Sequence, residues 1–211
     1  DTFIFQKTAD SGECRNLRVA GKAVWWDLCD PVWWFEPQEA RAISDAVTGV
    51  VASSQALALD FNRWYGADKA VTIPDRLELS HYDRQAQHDE RQTVRLVWFG
   101  AAQNRFSLLG ALAPLERLTA NGYHVELTVM DDHPQDILRF TNRLPVYHVG
   151  WELENEVSVL TAHDIALLPP YPGPWGKVKS NNKQLTAWAC GLPVATGEFY
   201  DHLELLVKNV D

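Results

Sequence analysis

The sequence predicts an α/β protein made of two units, each a mostly parallel β-sheet covered by helices. Three observations predict it. Short runs rich in β-branched and aromatic residues recur between turn residues. Most of these runs are separated by stretches with apolar residues at helical spacing. One polar tract then divides the chain into two such series.

The expected strands, in order, are residues 2–6, 22–26, 49–52, 70–73, 94–99, 124–130, 146–149, 165–168 and 193–195. Leu108, Leu109, Leu112, Leu115 and Leu118 mark one helix, in which Pro114 predicts a kink or break near Ala113. Val157, Leu160 and Ile165 mark another. Residues 78–93, ELSHYDRQAQHDERQT, hold hardly any apolar side chain and read as a linker. The expected domains are therefore 1–77 and 94–211, joined by 78–93.

Composition narrows the function classes. Of 211 residues, 46% are hydrophobic and nine are Trp, enough to bury a sizeable core. A net charge of −9 argues against broad binding to nucleic acid or anionic lipid, so any anion site must be local. Three cysteines without metal-type spacing favour a reducing compartment, the cytoplasm, over a disulfide-stapled secreted fold. No apolar run reaches the roughly 20 residues needed to cross a bilayer, and no signal-peptide pattern is visible. Peripheral attachment, for instance at the inner face of the membrane, stays open.

The chemistry concentrates in residues 164–197. The strand signal DIALLPP leads into YPGPWGKVKS, too rich in Pro and Gly to be regular, and then into a helix expected over 181–190. Ser180 suits its N-cap and Gly191 its C-terminal cap. Lys177, Lys179 and Lys183 cluster here with no acid between Asp164 and Glu198. Cations at a helix start oppose the macrodipole by roughly 0.3–1 kcal/mol each, so their presence points to a bound anion. A second junction is similar: strand 94–99 ends in Gly100, followed by Ala101, Ala102 and then Arg105, with no acid between Glu90 and Glu116. Ligands of parallel sheets bind at such carboxyl ends.

Other clusters carry less. In the Trp-rich run from Trp25 to Phe35, Asp27, Asp30 and Trp33 are binding candidates: indoles stack on the apolar face of a ring while a carboxylate orients a hydroxyl. Core packing competes with this for most of the four Trp, although some are expected to border a cleft. Asp131-Asp132-His133 reads as a turn before Pro134, and His88-Asp89-Glu90 as solvated linker. His163-Asp164 precedes a strand and needs no chemistry. None has the spacing of a zinc or calcium site, so no metal is expected.

The run KSNNKQLTAWACGLPVATG, residues 179–197, resembles the donor-site segment of family 4 retaining glycosyltransferases, which have the GT-B fold. LVWFGAAQNR, YHVGW, HDIALLPP and, in the first unit, VWWDLCDPVWWF, GVVASSQAL and AVTIPDRLEL extend the similarity over nearly the whole chain. The resemblance implies a GT-B-like fold of two Rossmann-like units, the first incomplete: the closing part of the acceptor-side domain, then a donor-binding domain truncated at its end. It implies that Lys179, Ser180, Asn182 and Lys183 meet a donor diphosphate, with Gly100 and Arg105 meeting it from the opposite loop. Lys183 and Arg105 would be the catalytic pair, Trp151 and Glu152 would lie near the nucleobase, and Thr186 near the ribose. The family's paired glutamates are replaced by Val178 and Thr186, and its Arg after the glycine loop by Ala101.

The function so implied is metal-independent transfer of a sugar, with retention, from a nucleotide-diphosphate donor to a carbohydrate or glycolipid acceptor. No cofactor is implied beyond the nucleotide sugar as substrate. A non-catalytic nucleotide-binding module derived from such an enzyme is the alternative; nucleotide-sugar epimerisation would need cleft carboxylates that the sequence does not place.

Overall fold

Every β-branched or aromatic run named above forms a strand, and every strand pairing is parallel. The computed structural model describes residues 1–88, 92–133 and 143–197. These form two compact units.

The first unit comprises Asp1–Arg76 with Gly173–Asn181. Its sheet has the order β1-β2-β3-β4, from β1 (Thr2–Gln6), β2 (Ala23–Leu28), β3 (Gly49–Ala52) and β4 (Ala70–Thr72). Helices α1 (Ser11–Val19), α2 (Pro37–Ala46) and α3 (Gln55–Tyr65) make the crossovers. Each starts where the sequence supplies a start signal. The Asp10 carboxylate accepts from the Glu13 N–H at 2.7 Å, Pro37 opens α2, and Ser54 Oγ accepts from the Leu57 N–H at 3.1 Å. Val24, Trp26, Leu28, Trp33, Leu57 and Phe61 are buried in one core.

The second unit comprises Leu77–Pro172 and the described residues 182–197. Its sheet runs β7-β6-β5-β8-β9, from β5 (Thr93–Phe99), β6 (His124–Asp131), β7 (Val146–Gly150), β8 (Ile165–Leu168) and β9 (Val194–Thr196). Strand β5 is covered on both faces. Val97 and Phe99 pack in one cluster, with Met130, Leu160 and Ala187; Leu96 and Trp98 pack in the other, with Leu108, Leu112 and Leu127. This period-2 division is the signature of a parallel strand between two helical layers.

Four expectations are corrected. Helix α4 (Leu109–Ala120) runs through Pro114 without a break. The carbonyl that loses its donor belongs to exposed Gly110, where water can replace it. Helix α5 (Leu153–Thr161) keeps Val157 and Leu160 but ends before Ile165, which starts β8. The Pro- and Gly-rich stretch holds a short helix, α6 (Pro174–Val178), with Pro174 at its first position and Gly173 at φ 80° before it. Helix α7 (Asn182–Ala189) begins one residue later than expected, so Ser180 lies two residues ahead of it.

Gly191 does close α7. At φ 74° it donates to the Trp188 carbonyl (2.9 Å), and Leu192 N–H donates to the Ala187 carbonyl (2.9 Å), a Schellman pair. The polar stretch after Glu78 is not a bare linker. Ala86 is buried and its N–H donates to the Cys190 carbonyl at 2.8 Å; Gln85 Nε2 reaches the Ala189 carbonyl at 2.7 Å. His88 is exposed but its Nε2 lies 2.9 Å from the Gly191 carbonyl; Asp89 and Glu90 lie outside the described residues.

Candidate functional site

In the order β7-β6-β5-β8-β9 the chain reverses direction of growth at β5, placing a crevice beyond the carboxyl ends of β5 and its neighbours. A cavity of about 380 Å³ lies there. Its walls come from four places: Phe99, Gly100 and Ala101 after β5; Asp132 after β6; Trp151 and Glu156 around the start of α5; and Asn182, Lys183 and Thr186 on the first turns of α7.

Gly100 and Lys183 are in the tightest contact. Gly100 has φ 152°, and a Cβ placed on it would sit 2.5 Å from Lys183 Nζ and 2.9 Å from its Cε. Only a glycine lets the ammonium rest on the backbone here. The ammonium also lies 5.1 Å from the Trp98 ring centroid and 5.8 Å from that of Tyr171. These aromatic faces attract a cation and hold the flexible lysine in one direction. Asn182 and Lys183 are the first residues of α7, whose opening N–H groups have no intrahelical partner.

The other side of the cavity is organised around Glu156. Its Oε1 accepts from Trp151 Nε1 at 3.0 Å and its Oε2 from the Tyr82 hydroxyl at 3.3 Å. Trp151 is thereby pinned while 42% of its surface stays exposed, available for stacking. Glu152 is the N-cap of α5, its N–H taken by Asn155 Oδ1 at 3.1 Å. Thr186 is buried at the cavity wall.

Thus Gly100, Trp151, Asn182, Lys183 and Thr186 are brought together as lining residues. Arg105 is not among them. Its Nε and Nη2 form a bidentate pair with both oxygens of fully buried Asp131. His148 Nε2 lies 2.8 Å from Asp131 Oδ1, and the His133 N–H donates to the same oxygen at 3.0 Å. Burial alone would raise the Asp131 carboxyl, but the bonds from Arg105, His148 and the His133 N–H outweigh it and hold it below the usual carboxylate range. The expected turn at 131–133 is therefore also a buried ion-pair centre. Nη1 of Arg105 is buried with no hydrogen-bond partner among the described residues.

Lys179 and Ser180 fall in the first unit, where Lys179 pairs with Asp30 and lies 5.3 Å from the Trp175 ring centroid. Asp30 also accepts from Trp175 Nε1 at 3.1 Å. Trp33 is 2% exposed and donates to Asp60 at 3.0 Å, so its indole packs inward. Asp27 is raised by burial and by nearby Asp75. Val178 is buried in the first unit's core, and its carbonyl accepts from Ser54 Oγ at 2.7 Å. Cys190 is fully buried, and burial pushes its thiol up to about 11, which removes it as a nucleophile.

Sequence reasoning missed Asp132 and Glu156. The signal for both was positional: Asp132 directly follows β6, which neighbours β5, and Glu156 lies in the first turn of α5, after β7. Asp132 Oδ1 accepts from the Ala102 N–H at 2.8 Å and so also shapes the loop after Gly100. Among the described residues no group of three or more His, Cys, Asp or Glu is placed to hold a metal ion, and no helix is long and apolar enough to cross a membrane.

No protein-family model and no curated protein sequence matches this chain. Solved structures do. The Anabaena protein Alr3699/HepE, in complex with UDP and glucose, is similar with a TM-score of 0.69 at 16% identity, over 96% of this chain and 61% of that one. A trehalose-6-phosphate structure from E. coli bound with UDP-2-fluoro glucose gives 0.70 at 10%, over 98% and 60%. TarM gives 0.67 at 12%, over 94% and 41%. The chain thus spans between about two fifths and three fifths of these proteins. At such identities the likeness establishes the fold: α/β, with parallel sheets of the GT-B glycosyltransferase type.

Proposed function

We propose that this chain is the nucleotide-sugar-handling part of a glycosyltransferase, its second unit binding the donor and its first lying on the acceptor side. The observation that carries the reading is the Lys183 ammonium resting on Gly100 at the start of α7. Backbone N–H groups, the positive end of a helix and a fixed ammonium converge there, as a diphosphate requires. The cavity's two carboxylates argue for how the ligand lies. Asp132 and Glu156 repel an anion, so the diphosphate belongs at Gly100 and Lys183. The neutral, stackable and hydroxyl-bearing part then belongs beside Trp151 and Glu156.

In transfer, negative charge develops on the diphosphate as the glycosidic bond breaks. Lys183 and the α7 N–H groups are already aimed at it and need no reorganisation. They supply this stabilisation without a metal ion. Retention follows, on the family resemblance, if a donor-phosphate oxygen takes the acceptor's proton on the face the leaving group vacates. Arg105 enters indirectly in this reading: by fixing Asp131 it sets the end of β6, from which Asp132 reaches the loop after Gly100. UDP is the first nucleotide to try, because two of the similar structures hold UDP or a UDP sugar.

The test is release of nucleoside diphosphate from UDP-glucose and other nucleotide sugars with a carbohydrate or glycolipid acceptor present, in EDTA. Metal-independent release with the anomeric configuration kept in the product supports the full reading. Nucleotide binding without turnover supports the second reading, a non-catalytic nucleotide-binding module. Buried Val178 and short, neutral Thr186, standing where the resembling family has glutamates, favour that alternative.

A further inference from the structure

Glu156 reaches the wall of the 380 Å³ cavity from α5, and two other segments of the second unit converge on it. Its Oε1 accepts from Trp151 Nε1 at 3.0 Å and its Oε2 from the Tyr82 hydroxyl at 3.3 Å. His81 Nε2 lies 3.8 Å from that same Oε2, beyond hydrogen-bond reach, and is buried with no hydrogen-bond partner among the described residues. The His81 and Tyr82 rings meet edge to face, 5.0 Å between centroids. Both come from the polar stretch after Glu78, which Gln85, Ala86 and His88 strap to the end of α7. A segment with the composition of a linker thus forms the back of a binding cavity.

A carboxylate accepts through about four lone-pair sites, two on each oxygen. Trp151 takes one on Oε1 and Tyr82 one on Oε2, so each oxygen can accept once more. The Glu156 side chain is only 12% exposed and borders the cavity, where a ligand can fill the remaining sites. Burial first, with Glu156 adding to it, pushes the Tyr82 phenol up, although a hydrogen bond with Thr186 pulls the other way. Tyr82 therefore keeps its proton and donates it to Glu156. What matches this carboxylate is a pair of donors on adjacent atoms, as in the 2′- and 3′-hydroxyls of ribose. Position agrees. Lys183 and Thr186 are three residues apart on α7, a rise of about 4.5 Å, and Tyr82 links Thr186 to Glu156. From the ammonium towards Trp151, the first group beyond the phosphates meets Thr186 and Glu156. In a nucleotide that group is the ribose.

We propose that Glu156 selects ribonucleotides by accepting from the ribose 2′- and 3′-hydroxyls, and that Tyr82 is the residue that positions it. This rests on the reading of the cavity as a nucleotide site. The carboxylate then comes from α5, whereas the positions where the resembling family has glutamates hold Val178 and Thr186. Acceptors fixed in a wall reject a ligand that lacks the donors, because they are left unpaired.

The test titrates UDP, 2′-deoxy-UDP, GDP and 2′-deoxy-GDP calorimetrically into the whole chain and into Glu156→Gln, Glu156→Ala and Tyr82→Phe. The readout is the preference for the ribose over the deoxyribose form within one protein. General loosening of the cavity weakens both forms and leaves that ratio alone, whereas loss of this contact lowers it. The wild type should prefer the ribose form by about tenfold or more, both Glu156 variants should bring the ratio to within about twofold, and Tyr82→Phe should lower it at least about threefold. Nucleotide binding without a ribose preference, or a preference kept in both Glu156 variants, overturns the role of Glu156 and leaves the donor reading standing. A full preference in Tyr82→Phe overturns the positioning role. Selection of GDP over UDP that Glu156→Gln abolishes equally in ribose and deoxyribose forms places the carboxylate on the guanine edge and overturns the ribose assignment. A wild-type chain that binds neither UDP nor GDP overturns the donor reading, and this role with it.

Discussion

Replacing Gly100 by alanine puts a methyl group where the Lys183 ammonium now rests. The new Cβ would lie 2.5 Å from Nζ, so the end of the lysine must retreat by about 0.9 Å to reach the 3.4 Å of ordinary contact. The lysine can move, because the atom met is the far end of a flexible side chain, but it then leaves the place between the Trp98 and Tyr171 rings. A misplacement of about 1 Å at a charge-positioning group costs up to roughly 100-fold in function. The backbone adds strain of order 1–3 kcal/mol, because φ 152° belongs to a region glycine alone visits freely. Calorimetric titration of the nucleoside diphosphate that the wild type binds best should therefore show Gly100→Ala weakened by at least tenfold. Thermal unfolding should show a folded protein with a lowered midpoint. A folded Gly100→Ala protein with unchanged affinity would refute the claim that Lys183 and Gly100 jointly form the anion site.

Two further outcomes concern the scaffold under that site. Asp131→Asn leaves Arg105 buried opposite a neutral group and should cost about 3–5 kcal/mol in chemical denaturation; Arg105→Met with Asp131→Leu should recover much of that loss. His163 is buried, with Nδ1 at 2.6 Å from the Val159 carbonyl and Nε2 at 2.8 Å from Thr128 Oγ1, and burial pushes its imidazole below the ordinary range. Its folded pKa is thus depressed below the unfolded value of about 6.5. Its contribution is fully present above pH ~6.5 and is lost as pH falls through the folded value, because the unfolded chain binds the proton first. Denaturation midpoints should fall on acidification below pH ~6.5, and His163→Gln should flatten that part of the profile.

The strands were legible because parallel strands buried on both faces are continuous β-branched and aromatic runs, as in Leu96-Val97-Trp98-Phe99. The C-terminal end of α7 was legible because a glycine after an apolar helix has one common use, which Gly191 serves. What failed were inferences from residue type without partners. Pro174 and Gly173 looked like irregular chain but are a helix opening, where proline and left-handed glycine are at home. Ala86 looked like linker because the groups that cover it come from residues about a hundred positions away. Arg105 looked like a cation awaiting an anion, but its partner Asp131 ends another strand and nothing local announces it. The two junctions are free of acids only along the chain: folding brings Asp132, after β6, and Glu156, after β7, into the cavity. The lysine at the helix start, the glycine after β5 and the tryptophan after β7 line one cavity because all three sit at carboxyl ends or helix starts, positions that a sequence of elements fixes by itself.

The most direct test of the anion site is a calorimetric titration of UDP, GDP and ADP into the wild-type chain and into Lys183→Ala. A charge-assisted contact is worth about 1.5–3 kcal/mol, so the preferred nucleotide should bind the variant roughly 10- to 150-fold more weakly, with the melting temperature of the free protein little changed. Equal affinities for wild type and variant would contradict the account.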